Sequence, residues 1–343
     1  MLFNFVRPRV LATTALLATG AASLFAQQPY KIVDQWKIGG TGAWDYLLAD
    51  SAAHRLYVTH GPRVEVVDTQ TGKVIGAITG LKGTHGVALD AAGRYGYISD
   101  GQANDVVVFD RQTLATIDTV PAGTNPDGIA YEPVTKTVWA FNGRSGDVTV
   151  IDTETRKAVA TIKLPGKPEF PQADGEGNVF DNIEDKNLIV RLNATSKTIT
   201  ATWNLDACDS PSGLAIDRAN HRLFSVCDGK KMAVTDYHTG KLLASPQIGN
   251  GPDAAGYSPS HNLAFSSNGE GTLTVVDAAH DYSVLQSLAT RRGARTMSYD
   301  DGADRAYLVT AEFGPAPAAT PENPRPRPAI VPDSFTILVV GRN

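Results

Sequence analysis

Acidic and histidine side chains recur in this sequence at intervals of about 42 residues, and these residue types bind cations and transfer protons. One series of positions carries Asp45, His85, Asp127, Glu169, Ser212, Asp253 and Arg295. A second series stands fifteen residues after the first and carries His60, Asp100, Asn142, Glu184, Cys227, Asn268 and Thr310. If a repeated unit brings these residues together, cation binding or acid–base chemistry is the expected result.

The histidines and carboxylates form the candidate ligand set. Imidazole nitrogens beside carboxylate oxygens suit a divalent cation such as zinc, whereas carboxylates alone favour calcium. The candidate metal ligands are Asp45, His60 and His85. The sequence has no close spacing such as H-x-E or C-x-x-C, so it establishes no cofactor, and a divalent metal ion is the one cofactor that these residue types suggest.

The separation of fifteen residues also predicts that Glu169 and Glu184 face each other across one β-hairpin. Two carboxyl groups that close raise the pKa of one of them or recruit a cation, and such pairs also serve as general acid and base. No nucleophile motif or cofactor fingerprint accompanies them, so no catalytic residue is assigned. Arg295 either forms a salt bridge with an acidic neighbour such as Asp253 or Asp45, or binds a carboxylate or phosphate of a ligand.

The elements that carry both series are short β-strands. Aspartate or asparagine ends a β-branched run at Asp68, Asp110, Asp152, Asn193, Asp236 and Asp277, in steps of 42, 42, 41, 43 and 41 residues. One unit is predicted to contain strands a to d at Gly128–Glu132, Thr137–Phe141, Asp147–Asp152 and Ala158–Lys163. The constant step predicts an all-β, seven-bladed β-propeller rather than a sandwich.

The two ends of the chain are predicted to share the seventh blade. That blade begins near Arg295 and lacks a fourth strand at the C-terminus, while the run Lys31 to Lys37 precedes the first complete blade. Pairing of this N-terminal strand with the last blade closes the ring and leaves no unpaired edge.

Both polar series are predicted to lie on one face of the propeller, which carries the d–a and b–c loops. Strands a and b are antiparallel, so the start of one lies beside the end of the other, and strand a is innermost. The candidate ligand-binding residues on this face are Asp45, His60, His85, Asp100, Asp127, Glu169, Glu184, Asp253 and Arg295. The structural alternative is that these short polar side chains cap turns and lock one blade to the next.

Two further features fall on the same face. A proline-rich insertion at residues 314–332 interrupts blade seven and is either a lid or partner-binding strap over the channel, or an ordered segment that packs on its own blade. Cys208 and Cys227 flank the a–b hairpin of the fifth blade and are predicted to form a disulfide, with a reduced metal-binding pair as the alternative.

Several segments resemble a known repeat family. They are Tyr57-Val58-Thr59-His60, Val150-Ile151-Asp152-Thr153, the run from Gly123 to Ala130, and Asn182-Ile183-Glu184-Asp185. These segments are similar to the repeat of YVTN-type (YncE-like) exported β-propellers, over residues 30–343. The resemblance implies a binding scaffold and names no activity. The sequence departs from the repeat at His60, where asparagine is expected, and in the insertion of blade seven.

Residues 1–26 are predicted to be a signal peptide, with basic Arg7 and Arg9, an apolar run and Ala26 as the cleavage position. Residues 30–343 then form one domain, periplasmic or secreted, without an integral membrane span. Loss of the two arginines changes the formal net charge from −5 to −7, which argues against nucleic-acid binding. A monomer is expected.

The leading functional hypothesis is a non-enzymatic binding or scaffold protein that holds a small ligand, a metal ion or a partner protein at the channel face. One alternative is a metal-dependent hydrolase or lyase of the lactonase kind, using carboxylates and histidines at the channel mouth. Another is an envelope metal chaperone. The residues do not name the substrate or the partner.

Overall fold

Seven four-stranded antiparallel sheets, arranged as the blades of a propeller, make up the computed structural model of the protein. The structure describes residues 1–2, 28–206, 208–318, 320, 326 and 328–342. Within these ranges the only helical elements are two short 3₁₀ turns, Ser51–Ala53 and Glu184–Lys186. The predicted all-β, seven-bladed fold is confirmed.

Strands are named a to d in each blade, from the channel outward. Blade one contains Trp44–Asp50, Arg55–His60, Arg63–Asp68 and Val74–Ile78. Blade two contains Thr84–Leu89, Tyr95–Asp100, Asp105–Asp110 and Thr116–Pro121. Blade three contains Pro126–Glu132, Thr137–Asn142, Asp147–Asp152 and Lys157–Lys163. Blade four contains Pro168–Ala173, Asn178–Ile183, Leu188–Asn193 and Thr198–Asn204.

The remaining blades follow the same order. Blade five contains Asp209–Asp217, Arg222–Asp228, Lys231–Asp236 and Leu242–Ala244. Blade six contains Pro252–Ser258, Leu263–Asn268, Thr272–Asp277 and Val284–Ala289. Blade seven contains Met297–Asp300, Arg305–Thr310 and Thr336–Gly341, and its strand d is the N-terminal strand Lys31–Lys37. Trp36 pairs with Ile337 in this sheet, so the predicted closure of the ring is confirmed.

The repeated aspartate at the end of strand c has a local structural role. The carboxylate of Asp68 accepts hydrogen bonds from the backbone N–H groups of Gln70 and Thr71. Asp110 and Asp236 make the same two bonds to the residues two and three positions later. These bonds hold the turn into strand d, which explains why Asp or Asn recurs at this point of the repeat.

A buried aromatic residue in strand b joins each blade to the next. The seven residues are Tyr57, Tyr97, Trp139, Phe180, Phe224, Phe265 and Tyr307. The ring of Phe224 stacks on Tyr257 in strand a of blade six, and Phe265 stacks on Tyr299 in blade seven. Burial of one such ring contributes on the order of 2–3 kcal/mol, so these positions hold the blades at fixed angles to the channel.

The insertion of blade seven has an ordered stem. Phe313 and Ile330 form an antiparallel bridge, flanked by the bonds Gly314 N–H to Ala329 C=O and Val331 N–H to Glu312 C=O. Most of the predicted signal peptide lies outside the described residues. No helix in the described ranges has the length and apolarity needed to cross a membrane.

Candidate functional site

The first polar series lines a cavity at the mouth of the central channel. The cavity has a volume of about 300 Å³. Its polar walls come from Asp45, Asp127, Lys167, Glu169, Glu184, Ser212, Asp253 and Arg295. Six of the seven first-series residues are in this wall because each stands at or just before the start of an innermost strand, and the seventh, His85, is bonded to Asp45.

Two aromatic rings form the floor of this cavity. The rings of Tyr46 of blade one and Phe170 of blade four contact each other across the channel, with their centroids 4.8 Å apart at an interplanar angle of 39°. The Tyr46 hydroxyl donates a hydrogen bond of 3.0 Å to the backbone carbonyl of Glu169. Both residues also line a separate space below. The polar cavity is therefore a cup with an aromatic floor.

Three ligand-type side chains from adjacent blades meet at the edge of this cup. His85 Nδ1 lies 2.6 Å from Asp45 Oδ2 and 3.6 Å from Asp127 Oδ1. One ligand atom from each of the three residues lies within 4.8 Å of the other two. The structure therefore brings together His85 and Asp45 from the sequence-based metal set, and it adds Asp127 in place of His60.

The carboxylates around His85 control its charge. Burial by itself lowers the pKa of His85, but the hydrogen bond that His85 donates to Asp45 and the negative charges of Asp127, Asp45 and Glu169 outweigh that effect. The pKa of His85 is consequently raised to about 9. Without a bound cation, the imidazole carries a proton at neutral pH and shares it with Asp45.

The cup holds more carboxyl groups than its own cations neutralise. Burial and the neighbouring acids raise the pKa of Asp127 to about 7 and that of Glu169 to about 8. Burial raises the pKa of Asp253 to about 6, although Arg295 lies 3.3 Å away and opposes the shift. The raised pKa values of these three acids indicate that an additional positive charge would be stabilised here.

Lys167 is the cation that sequence reasoning missed. Its Nζ donates to the carboxylates of both Glu169 and Glu184, so it separates the two acids that the sequence placed opposite each other. The signal was its position two residues before Glu169 in the d–a loop. No other blade has lysine at that position. Because the lysine does not recur in the repeat, the repeat pattern did not predict its place in the cavity.

Asp181 is a second residue that the sequence did not single out. It lies fully buried in strand b of blade four, and neither carboxylate oxygen has a hydrogen-bond partner of good geometry in the described residues. Burial, followed by the charge of Glu169, raises the pKa of Asp181 well above the ordinary value, because the buried site disfavours the ionised carboxylate.

Most of the second series is occupied by bonds within its own blade. Asp100 accepts hydrogen bonds from the backbone N–H groups of Lys82 and Gly83 at 2.8 and 2.7 Å. Asn268 donates to the Thr274 hydroxyl, and Thr310 donates to the Arg292 carbonyl. These contacts agree with the structural alternative, in which the second-series side chains hold the neighbouring loops in place by hydrogen bonds.

The cysteine of the second series is covalently bonded. Cys227 forms a disulfide with Cys208, with a Cα–Cα distance of 5.3 Å. The alternative of a reduced, metal-binding pair does not match this structure. The bond ties strand b of blade five to the segment that leads into strand a.

His60 lies apart from His85. Its ring is fully buried and stacks on Phe335 with centroids 4.1 Å apart. Burial, assisted by the positive charge of Arg63, lowers the pKa of His60 to about 4, so the ring is neutral at physiological pH. The nearest carboxylate oxygen, on Glu65, is 3.9 Å from Nδ1. His60 therefore belongs to the packing between blades seven and one.

The constant offset of fifteen residues, which assigned Glu184 to the second series, was wrong in blade four. In blades one, two, three, five and six, the residue before the first-series position pairs with the second-series residue, as Trp44 does with His60 and Pro126 with Asn142. In blade four, Pro168 pairs with Ile183 rather than with Glu184. The turn between strands a and b of blade four is one residue shorter than in blade three, so strand b ends at Ile183, and Glu184 begins the 3₁₀ turn Glu184–Lys186 and lines the cup.

Comparison with known proteins supports the fold alone. No family model matches the sequence, and no curated protein matches it. Among solved structures, Kuenenia stuttgartiensis hydrazine synthase is similar with a TM-score of 0.68 and 16% identity, covering 77% of this chain and 91% of that chain. The structure of U3-55K is similar with a TM-score of 0.73 and 10% identity, covering 90% and 98%.

Proposed function

We propose that this protein is an exported binding propeller of the YVTN type that holds a divalent cation at the channel mouth through Asp45, His85 and Asp127. The observation that carries the proposal is the convergence of these three ligand-type groups from three adjacent blades. One imidazole and two carboxylates match the ligands of zinc and manganese better than those of calcium, which prefers oxygen alone.

The charge balance of the cup supports a cation. Asp127, Glu169 and Asp253 all hold protons more tightly than free carboxyl groups do, because they are buried near one another. A metal ion displaces the proton of His85 and relieves this repulsion. Three protein ligands leave coordination positions open for water or for an oxygen of a second ligand.

Export is supported by two features. The Cys208–Cys227 disulfide suits an oxidising compartment, and residues 1–26 have the composition of a signal peptide. The resemblance of the repeat to YVTN-type propellers points in the same direction.

The proposal is tested by titrating chelator-treated protein with Zn²⁺ and Mn²⁺ in a calorimeter at pH 8. We expect binding of one ion with release of protons, and a loss of affinity of about 100-fold in His85→Ala. His280→Ala is the matched control, because His280 also contacts an aspartate, at 2.9 Å from Asp277, but in the c–d turn of blade six. Equal affinities of the two variants, or no binding by the native protein, would reject the site.

A metal-dependent hydrolase or lyase is the second candidate, and the raised pKa of Glu169 is the observation that favours it. A carboxyl group with a pKa of about 8 is protonated at neutral pH and is able to act as a general acid beside a bound metal. Lactone turnover by the metal-loaded protein that is lost in Glu169→Gln supports this candidate. Binding without turnover supports a binding protein or an envelope metal chaperone.

A further inference from the structure

A groove beside the cup differs from it in charge and in polarity. It has a volume of about 390 Å³, within the range of about 300–1,000 Å³ that is common for small-molecule sites. Its walls are formed by Ala43, Trp44, Gly269, Arg292, Gly293, Arg295, Phe313, Pro328 and Ile330. None of these residues is acidic, and two are arginines. The groove and the cup share the side chain of Arg295.

The aromatic walls of the groove are held in place from behind. The Trp44 ring packs on the buried ring of Phe335, with centroids 5.2 Å apart. Phe313 lies 6.2 Å from Trp44 at a tilt of 47°. A Cβ added at Gly293 would stand 2.8 Å from the Phe313 ring, so glycine at this position allows the ring to lie against the backbone.

The stem of the proline-rich insertion supplies the opposite wall. The bridge between Phe313 and Ile330 fixes these two side chains relative to each other. Ser334 strengthens the stem, because its hydroxyl accepts from the Glu312 N–H at 2.9 Å and donates to the Val331 carbonyl at 2.6 Å. The insertion thus builds one side of a preformed apolar slot.

The two arginines set the charge of the ligand. Arg295 lies 3.3 Å from Asp253 and is partly neutralised by it. The guanidinium of Arg292 forms no hydrogen bond or ion pair with the residues that the structure describes, and it lines the groove directly. A guanidinium group at the end of an apolar slot binds a carboxylate strongly, because it presents parallel N–H donors.

We infer that this groove binds a small aromatic carboxylate, with its ring against the wall formed by Trp44 and Phe313 and its carboxylate on Arg292. The flat aromatic walls select a planar apolar body, and the absence of acids among the lining residues selects an anion. This site is independent of the proposed cation site, because Asp45, His85 and Asp127 do not line it.

The test uses 2-naphthoate as the probe and the complete mature protein without metal, in a calorimetric titration. We expect saturable binding, and about a tenfold weaker affinity in Arg292→Gln, which is the effect of losing one charge-assisted pair. Arg291→Gln is the matched control, since Arg291 is the exposed neighbour that bonds to Gln35. It should bind as the native protein does.

Two further measurements test the ligand class. Neutral 2-naphthamide should bind about tenfold more weakly than 2-naphthoate, and acetate should show no saturable binding at the same concentrations. Phe313→Ala should weaken naphthoate binding while the affinity for Zn²⁺ stays unchanged. No binding of naphthoate, equal losses in Arg291→Gln and Arg292→Gln, or equal affinity for the amide and the acid would each overturn the inference.

Discussion

The two polar series come from the same repeat and both contain histidine, aspartate and glutamate, yet they have different roles in the structure. His85 of the first series lies at the cup, protonated between two carboxylates. His60 of the second series is fully buried against Phe335 and neutral. The difference arises from position, because the start of strand a faces the channel, whereas the end of strand b lies between blades. A histidine or an acidic residue at a repeat position therefore indicates a ligand-binding site only where that part of the strand faces the channel.

The largest expected effect separates the two histidines by stability. His60→Ala removes a fully buried ring and leaves a cavity beside Phe335, so the free energy of unfolding should fall by about 2–4 kcal/mol. His85→Ala removes a partly exposed ring together with its ion pair to Asp45, and should cost less, about 1–2 kcal/mol. Urea denaturation at pH 7 measures both. A larger loss in His85→Ala would contradict the assigned roles.

An aspartate from each series provides a second comparison, with an expected change in the free energy of unfolding of intermediate size. Asp100→Ala removes a buried carboxylate and leaves the N–H groups of Lys82 and Gly83 without their acceptor, and should lower the free energy of unfolding by about 2–3 kcal/mol. Burial and neighbouring acids raise the pKa of Asp127 to about 7, so at pH 8 its carboxylate is ionised at a cost to the folded state, and Asp127→Ala should not lower the free energy of unfolding there. Equal losses would show that Asp127 also has a structural role.

The smallest effect concerns pH. The raised pKa of His85 means that its stabilising contribution is complete below about pH 6.5 and is lost as the pH rises through about 9. The lowered pKa of His60 means that stability is lost as the pH falls from about 6.5 through about 4. NMR titration of the imidazole Cε1–H signals measures both values, with His85→Ala as the assignment control. Titration of both rings near pH 6.5 would contradict the comparison.

Blade four shows that residue spacing alone does not predict the register of every strand. A gap-free count placed Glu184 in the second series, because turn lengths were taken as constant. In the structure, the turn between strands a and b of blade four is one residue shorter than in blade three, so Phe180 occupies the aromatic position of strand b and Glu184 falls beyond the end of that strand. The buried aromatic was the more reliable marker of register, since a displaced ring would leave a large cavity between blades.

The sequence by itself determined the seven blades, the closure by the N-terminal strand, the Cys208–Cys227 pair and the convergence of the first series at the channel mouth. These features follow from local patterns that repeat at a constant step, so one blade predicts the others. Only the tertiary structure decided that Asp127 joins His85 and Asp45, that Lys167 stands between two glutamates, and that an arginine-lined groove adjoins the cup. Those contacts join different blades or a unique insertion, and their geometry depends on the angles between sheets rather than on spacing within one repeat.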